Sequence, residues 1–538
     1  MASDLDYDVI IIGAGLSGMY SLIKMRELGL RVRILEMGSG AGGTWFWNHY
    51  PGARFDSESY TYGFSFSDEL LREWHWIERF SPQPENLKYL NYVCDKFDLR
   101  KDIQFNTEIT SAHFQDSNSS WELIAKDGHK CSSRFLITAM GPLTKATLPD
   151  IPGVHGFKGT AYHTSRWPEP SPTLEHKRVA IIGTGATAIQ IIPEIAKTVE
   201  ALTVFQRTPN WTAPLQNGPI SVEEMQEIRG RYPQIFERCR ETSNGFIHSA
   251  DARKTLEVDP EEREKFWEEL FSQPGFAKWL SNFGDIATDQ AANDAYSEFV
   301  AKKIKERVRD PWTADRLVPM DHGFGTKRVP LETHYYEAYN RENVRLVDVS
   351  ETPIEKITET GIKTVDEAFD FDIIIYATGF DAITGAFDAV DFQGTNGAKL
   401  KEAWKGGPRT FLGFTVPRFP NMFMVMGPHQ AFGNIPRSTE YAVNWISRLL
   451  SYCRENGVVY VEATGKEADW WTDHVKECSK GLLANKVDSW MTGVNKNLAT
   501  KQERIIARYS GGAVEHRRRC DAVAAENYAR MILKRSLD

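Results

Sequence analysis

The chain has 538 residues, more than one hydrophobic core usually organises, so two or three domains are expected. Hydrophobic residues make up 41% and charged residues 25%, with a formal net charge of -9; the mix fits an ordered globular protein and argues against a basic nucleic-acid surface or adsorption to an anionic membrane. The six cysteines, Cys94, Cys131, Cys239, Cys453, Cys478 and Cys520, show neither a disulfide framework nor zinc-ligand spacing, so thiols of a reducing compartment and no metal site are expected.

The opening Met1 to Asp6 lacks the basic and apolar regions of a signal peptide, and no apolar run approaches the roughly 20 residues of a membrane span. A soluble, cytoplasmic protein is therefore expected. Tyr7 to Ile12 is a continuous apolar, β-branched run that predicts a parallel strand buried on both faces. GAGLSG follows, then an amphipathic stretch from Leu16 to Leu28, a stop at Gly29, and a second strand from Arg31 to Leu35 closed by Glu36. Gly13, Gly15 and Gly18 supply the tight turn, the close approach of backbone to a pyrophosphate and the helix–strand contact. The helix N-terminus offers free N–H groups to that diphosphate, and Glu36 stands where an acid can accept hydrogen bonds from a ribose diol.

Gly42 to Asp56, GGTWFWNHYPGARFD, comes next. Trp45, Phe46 and Trp47 with Tyr50-Pro51-Gly52 form a rigid, largely apolar wall suited to a planar ring system, ending at Asp56. Phe135 to Gly141 and Phe371 to Gly379 read as late strands at which the chain passes between domains. Arg178 to Ile182, GTGATA, Ile189 to Ala196 and Leu202 to Phe205 repeat the strand, turn, helix, strand grammar. Here Gly183, Gly185 and Ala188 make the loop, and the second strand ends in Phe205-Gln206-Arg207-Thr208 without an acid. An acid would repel a 2′-phosphate, whereas Arg207 would pair with it, so NADPH is favoured over NADH. From Pro214 to Gly325 the patterns turn helical: Ser221 onward, Asp259-Pro260 as an N-cap, and Gln290 to Arg309. Thr410 to Met426 returns to strand-like character, and the last hundred or so residues read as mainly helical.

Between the glycine loops stands FKGTAYHTSRWP, and with it the sequence resembles the type I Baeyer–Villiger monooxygenases. Phe157, Gly159, His163, Trp167 and Pro168 match that family's FxGxxxHxxxWP motif. Its second signature, [AG]GxWxxxx[FY]P[GM]xxxD, is matched by Gly42, Gly43, Trp45, Tyr50, Pro51, Gly52 and Asp56. The resemblance covers almost the whole chain; His49, Phe55 and Ala188 depart from common family residues, as does GPHQAFGNIP from Gly427 to Pro436.

The resemblance implies an α/β fold of two dinucleotide-binding, Rossmann-like domains with a helical insertion in the second. Residues 1–142 and 380–538 would bind FAD, 143–213 and 326–379 would bind NADP, and 214–325 would form the insertion. It implies NADPH- and O2-dependent oxidation of ketones, cyclic or bulky, to esters or lactones through a flavin peroxide, with sulfoxidation as a side activity. The alternative is a flavin monooxygenase acting on nitrogen or sulfur, whose motif lacks the Trp167-Pro168 pair. It also implies that Arg328 faces the flavin, that Lys327 helps hold the NADP phosphate, that Trp490 contacts the nicotinamide cofactor from a mobile loop, and that His163 is a hinge. The implied catalytic residues are Arg328, with its permanent charge, and Asp56, which orients it. The implied cofactor-binding residues are Gly13, Gly15, Ser17, Gly18, Glu36, Thr44, Trp45, Trp47, Asp56, Tyr62, Ile109, Gly183, Thr184, Gly185, Ala186, Thr187, Ala188, Gln206, Arg207, Lys327, Arg328 and Trp490. The implied partners are a small ketone and O2, with the chain a monomer or homodimer. Gly427 to Pro436 and Leu482 to Met491 are expected to shape the ketone pocket.

Overall fold

The computed structural model describes residues 5–535, so the reading of Met1 to Asp4 lies outside the described residues. Strand β1 (Tyr7–Ile12) is buried from Val9 onward, as its unbroken apolar run requires. Helix α1 (Leu16–Glu27) returns the chain to β2 (Val32–Leu35), which pairs with β1 in parallel, Val9 opposite Val32. Helix α2 (Gln83–Lys96) buries Leu90, Val93 and Cys94 against the same core. Strands β3 (Ile103–Gln104), β4 (Ile109–Gln115), β5 (Ser120–Ala125) and β6 (Lys130–Thr138) follow, β4 to β6 as an antiparallel meander and β6 parallel to β1. The sheet runs Asp391–Gln393, β4, β5, β6, β1, β2, β3, with Met422–Met424 pairing onto β6. The chain thus leaves this layer after β6 and comes back to it.

The second layer is all parallel. Strands β7 (Thr160–His163), β8 (Arg178–Ile182), β9 (Ala201–Gln206), β10 (Val344–Asp348) and β11 (Ile373–Tyr376) stand in the order β10, β9, β8, β11, β7. Helix α3 (Ala186–Ile195) connects β8 to β9 and buries Ile189, Ile191 and Ile192. Each glycine loop therefore lies at the carboxyl end of its first strand, where open parallel sheets place ligands.

Between β9 and β10 come α4 (Val222–Glu241), α5 (Pro260–Ser272) and α6 (Gln290–Lys305). Their starts follow the sequence signals: Ser221 Oγ accepts from the Glu224 amide and Asp259 from the amides of Glu261 and Glu262. The neck is closed by parallel pairing of Ala213–Pro214 with Leu331–Glu332. The segment is not a single annex of the second domain, as the sequence suggested. Trp267 of α5 and Tyr296 and Phe299 of α6 join the core around β8 and β9, whereas Met225, Ile228 and Tyr232 of α4 join the core around β1. Arg229 also donates to the Trp74 carbonyl at 3.0 Å. One apolar stripe on α4, facing the other domain, makes the difference.

Helices α7 (Ile435–Glu455), α8 (Gly465–Ser479) and α9 (Ala513–Ala525) finish the first domain. They are accompanied by an antiparallel pair, Val458–Ala463 with Met531–Arg535, that the helical reading missed. The strand expected over Thr410 to Met426 shrinks to Met422–Met424. Leu412, Gly413, Arg418, Asn421 and Met426 all have positive φ, so this stretch folds into successive turns despite its apolar content. All six cysteines are free, and among the described residues no helix is long and apolar enough to cross a membrane.

Candidate active site

A cavity of about 1140 Å³ opens between the two layers. Gly13, Gly15, Ser17, Glu36, Thr44, Trp45, Trp47, Asp56, Tyr62 and Ile109 line it from the first domain, with Trp490 from the segment between α8 and α9, and Ala186, Thr187 and Arg328 line it as well. Gly18 lies behind the loop: a Cβ there would stand 1.8 Å from the Gly13 carbonyl oxygen, so helix and turn touch through bare backbone. Both Glu36 carboxylate oxygens accept backbone amides, Oε2 from Ala14 and Oε1 from Gly38, each at 2.7 Å. Burial pushes the Glu36 pKa up, against the pull of those two amides and of the Arg166 charge. A tight glycine turn, a free helix start and a fixed acid at the end of β2 fit a diphosphate and an adenosine ribose.

The aromatic loop works in two directions. Trp45 Nε1 donates to Tyr62 OH at 2.9 Å, and the Trp45 carbonyl receives Gln83 of α2 at 2.5 Å. Phe55 and Tyr62 pack with ring centroids 3.8 Å apart and their planes tilted by 39°, and Phe55 extends the wall of the cavity. Tyr50 to Asp56, by contrast, docks onto the second domain. Tyr50 OH donates to Gln190 Oε1 at 2.7 Å, and Gln190 Nε2 donates to the Arg54 carbonyl at 2.9 Å. A Cβ on Gly52 would lie 2.3 Å from the Gln190 carbonyl oxygen, so only glycine admits that approach. The YPG sequence is thus an interdomain staple as well as a wall.

At the end of this loop Asp56 and Arg328 form a two-pronged ion pair. Arg328 Nη1 reaches Asp56 Oδ2 at 2.6 Å and Nη2 reaches Oδ1 at 2.5 Å. Asp56 also accepts the Leu331 amide at 3.2 Å, and Arg328 Nη1 donates to the Val329 carbonyl at 2.6 Å. The guanidinium lies 5.5 Å from the Phe276 ring centre. With Asp56 buried and Arg328 partly open to the cavity, one face of a permanent cation is fixed while the other stays available.

The second glycine loop is more open. Gly183, Thr184, Gly185 and Ala188 do not reach the cavity wall; Thr184 Oγ1 donates to the Thr208 carbonyl at 2.8 Å, and Ala188 is fully buried. Arg207 is exposed and, among the described residues, makes no ion pair. Lys327 sits 3.6 Å from Asp321, and burial pulls its pKa down, Asp321 opposing and the charges of Lys496 and Arg207 adding to the shift. Arg207, Lys327 and Lys496 thus share one positive field beside the loop. The Gln206 side chain is buried, and its amide donates to the Arg316 carbonyl at 2.7 Å.

The motif around His163 marks the crossing between domains. Thr147 and Gly379, one on each connection, are joined by a 3.0 Å backbone hydrogen bond, and Thr378 Oγ1 donates to the Thr147 carbonyl at 2.5 Å. His163 Nδ1 accepts from the Ser165 amide at 3.2 Å, and burial lowers the ring pKa to about 4, so it stands neutral at this crossing. Trp167 is core of the second domain. Asn495 and Asn497, beyond Trp490, donate to the carbonyls of Phe380 and Thr378 at 3.0 and 3.1 Å, tying the Trp490 segment to the same crossing. Trp490 itself is 38% exposed at the cavity rim rather than packed in a core.

Among the cavity residues that sequence reasoning did not single out are Gln190, Arg166 and Arg508. Gln190 lies one turn beyond the glycine loop, on the face of α3 that meets the aromatic loop. Arg166 stands inside the recognised motif and stacks 4.2 Å over Trp47. Arg508 follows the apolar run Ile505-Ile506-Ala507 and carries no motif that would signal it.

A family model described as flavin-binding monooxygenase-like matches residues 6–216. The 2-oxo-Δ3-4,5,5-trimethylcyclopentenylacetyl-CoA monooxygenase of Pseudomonas putida is 44% identical over 530 residues, covering 97% of each chain. A Baeyer–Villiger monooxygenase of Pseudooceanicola batsensis is 38% identical over 538 residues, covering 99% of this chain and 97% of that one. A crystal structure of OTEMO in complex with FAD and NADP superposes with a TM-score of 0.95 at 43% identity, over 99% of this chain and 100% of the other. Likeness of this degree over full length, together with a first glycine loop lining the cavity that also holds the Asp56–Arg328 pair, places the chain among the type I Baeyer–Villiger monooxygenases.

Proposed function

We propose that this chain binds FAD and NADPH and uses O2 to convert ketones, cyclic or bulky ones in particular, into esters or lactones. The observation that carries the reading is the Arg328 guanidinium, fixed by Asp56 at the wall of the cavity that the first glycine loop also lines. Residues 1–142 with 380–538 are assigned to FAD and 143–213 with 326–379 to NADPH, the loop at Gly13 and Glu36 taking one dinucleotide and Gly183 with Arg207 and Lys327 the other.

Bound FAD, reduced by NADPH, would supply the electrons and the position at which O2 is activated. The protein's own contribution is electrostatic and steric. Arg328 holds a permanent positive charge where negative charge builds during attack on a carbonyl carbon, in a cavity partly walled by the aromatic rings of Trp45, Phe55 and Tyr62. Asp56 is a positioning residue: it restricts the guanidinium to one orientation before the reaction begins. Arg207 and Lys327 pair with a 2′-phosphate, and Gln190 with Tyr50 keeps the two domains in register around the cavity. The test is a panel of cyclic, linear and steroidal ketones, with amines and sulfides beside them, given to the FAD-loaded protein with NADPH and O2. Ester or lactone formed one-for-one with NADPH supports the reading. NADPH consumption with products only from amines or sulfides overturns it.

A further inference from the structure

Three cations line the cavity without a carboxylate within 4 Å among the described residues: Lys145, Arg166 and Arg508. Arg54 and Arg328 also line it, but Glu78 and Asp56 hold them at 2.7 and 2.5 Å. Arg166 retains Glu36 and Glu108 as electrostatic neighbours, and its Nη1 donates to the Ser165 carbonyl at 2.8 Å. Lys145 lies near Asp381. Arg508 differs from both. It makes no hydrogen bond or ion pair among the described residues, and burial lowers its pKa with no neighbouring charge recorded against that shift.

Its backbone is nonetheless held firmly. The Ala507 carbonyl accepts the His429 amide at 2.8 Å, and the Ile506 carbonyl accepts His429 Nε2 at 3.0 Å, while Thr410 Oγ1 stands 3.1 Å from the other ring nitrogen. Ala507 and Tyr509 on either side are buried. A rigid backbone thus carries a half-buried guanidinium to the wall of the cavity, which Met426, Phe432, Leu482 and Met491 also line. A half-buried cation with no partner in the protein gains from an anionic ligand group that completes it. Arginine's planar fork matches a carboxylate in two-point fashion.

We propose that Arg508 is a substrate-binding residue that pairs with a carboxylate carried by the ketone, so that the preferred substrates are cyclic keto acids rather than neutral ketones. This rests on the function proposed above and names its substrate class. The keto acid would be supplied by a reaction that oxidises a cyclic hydroxy acid, and its lactone product would pass to a hydrolase.

The test compares 2-oxocyclopentylacetate with its methyl ester and with cyclopentanone. The FAD-loaded wild type, Arg508→Gln and Arg508→Lys are used, with product formation and a spectral binding titration of the oxidised protein as readouts. One charge-assisted hydrogen-bonded contact contributes roughly 1.5–3 kcal/mol, or about 10- to 150-fold. Wild type is expected to oxidise and bind the acid at least about tenfold better than the ester by that same scale. Arg508→Gln should erase that preference through a raised KM and Kd for the acid alone, and Arg508→Lys should restore part of it. Equal handling of acid and ester by the wild type overturns the proposal, as does an Arg508→Gln variant whose main defect is a raised KM for NADPH. No lactone from any ketone would instead defeat the functional reading itself.

Discussion

Replacing Asp56 with asparagine isolates the charge that fixes Arg328. The native carboxylate accepts both guanidinium prongs, at 2.6 and 2.5 Å, and the Leu331 amide at 3.2 Å. Asparagine is nearly isosteric but offers a single acceptor oxygen; its amide nitrogen would face a guanidinium N–H, donor against donor. One charge-assisted contact is lost, worth about 1.5–3 kcal/mol when buried. Arg328 retains partial exposure, which screens the pair and moves the expectation to the lower half of that range, a loss of about 10- to 45-fold in ester-forming rate. The assay is steady-state ester formation alongside FAD content and the KM for NADPH. FAD content should stay near wild type, because Glu36 and the Gly13 loop are untouched. An Asp56→Asn variant within twofold of wild type would remove the carboxylate from the account.

Arg207→Ala should raise the KM for NADPH by about 10-fold or more, the scale of one charged contact, with little change for NADH. Equal effects on both nucleotides would refute the phosphate assignment. The pH dependence of stability follows from buried histidines. His163, His429 and His516 are each held near a pKa of about 4 by burial, well below the 6.5 of an unperturbed ring. The unfolded chain then binds more protons between pH 6.5 and 4, so this stabilisation is complete above about 6.5 and is lost as pH falls toward 4. Thermal unfolding should show a falling Tm below pH 6.5, and a flat Tm down to pH 5 would contradict the burial of these rings.

Much of the fold was legible because its elements announce themselves locally. An apolar strand, a glycine turn and an amphipathic helix recur at β1–α1 and β8–α3, and each appears within a residue or three of its expected bounds. Thr410 to Met426 misled because its apolar residues suggest a strand, while left-handed positions at Leu412, Arg418 and Asn421, none of them glycine, are set by tertiary contacts. The destination of α4 was hidden for a similar reason, since an amphipathic stripe shows that a helix packs but not onto which domain.

At the site, Glu36 and the loop glycines carry spacing that can be read from a single chain. Pairing across long separations cannot. Asp56 and Arg328 are 272 positions apart, and only their resemblance to a known pattern joined them before the geometry did. Gln206 shows the same limit: nothing in the sequence signals that its side chain bonds the Arg316 carbonyl, 110 positions away. Arg508 had no motif at all; its meaning comes from what surrounds it.

The most direct test of the central claim is the ester yield per NADPH from Arg328→Ala, measured on protein whose FAD content has been quantified. The account predicts full FAD loading with ester formation abolished. Wild-type ester yield from that variant would show that oxygen insertion does not depend on the cation Asp56 holds in place.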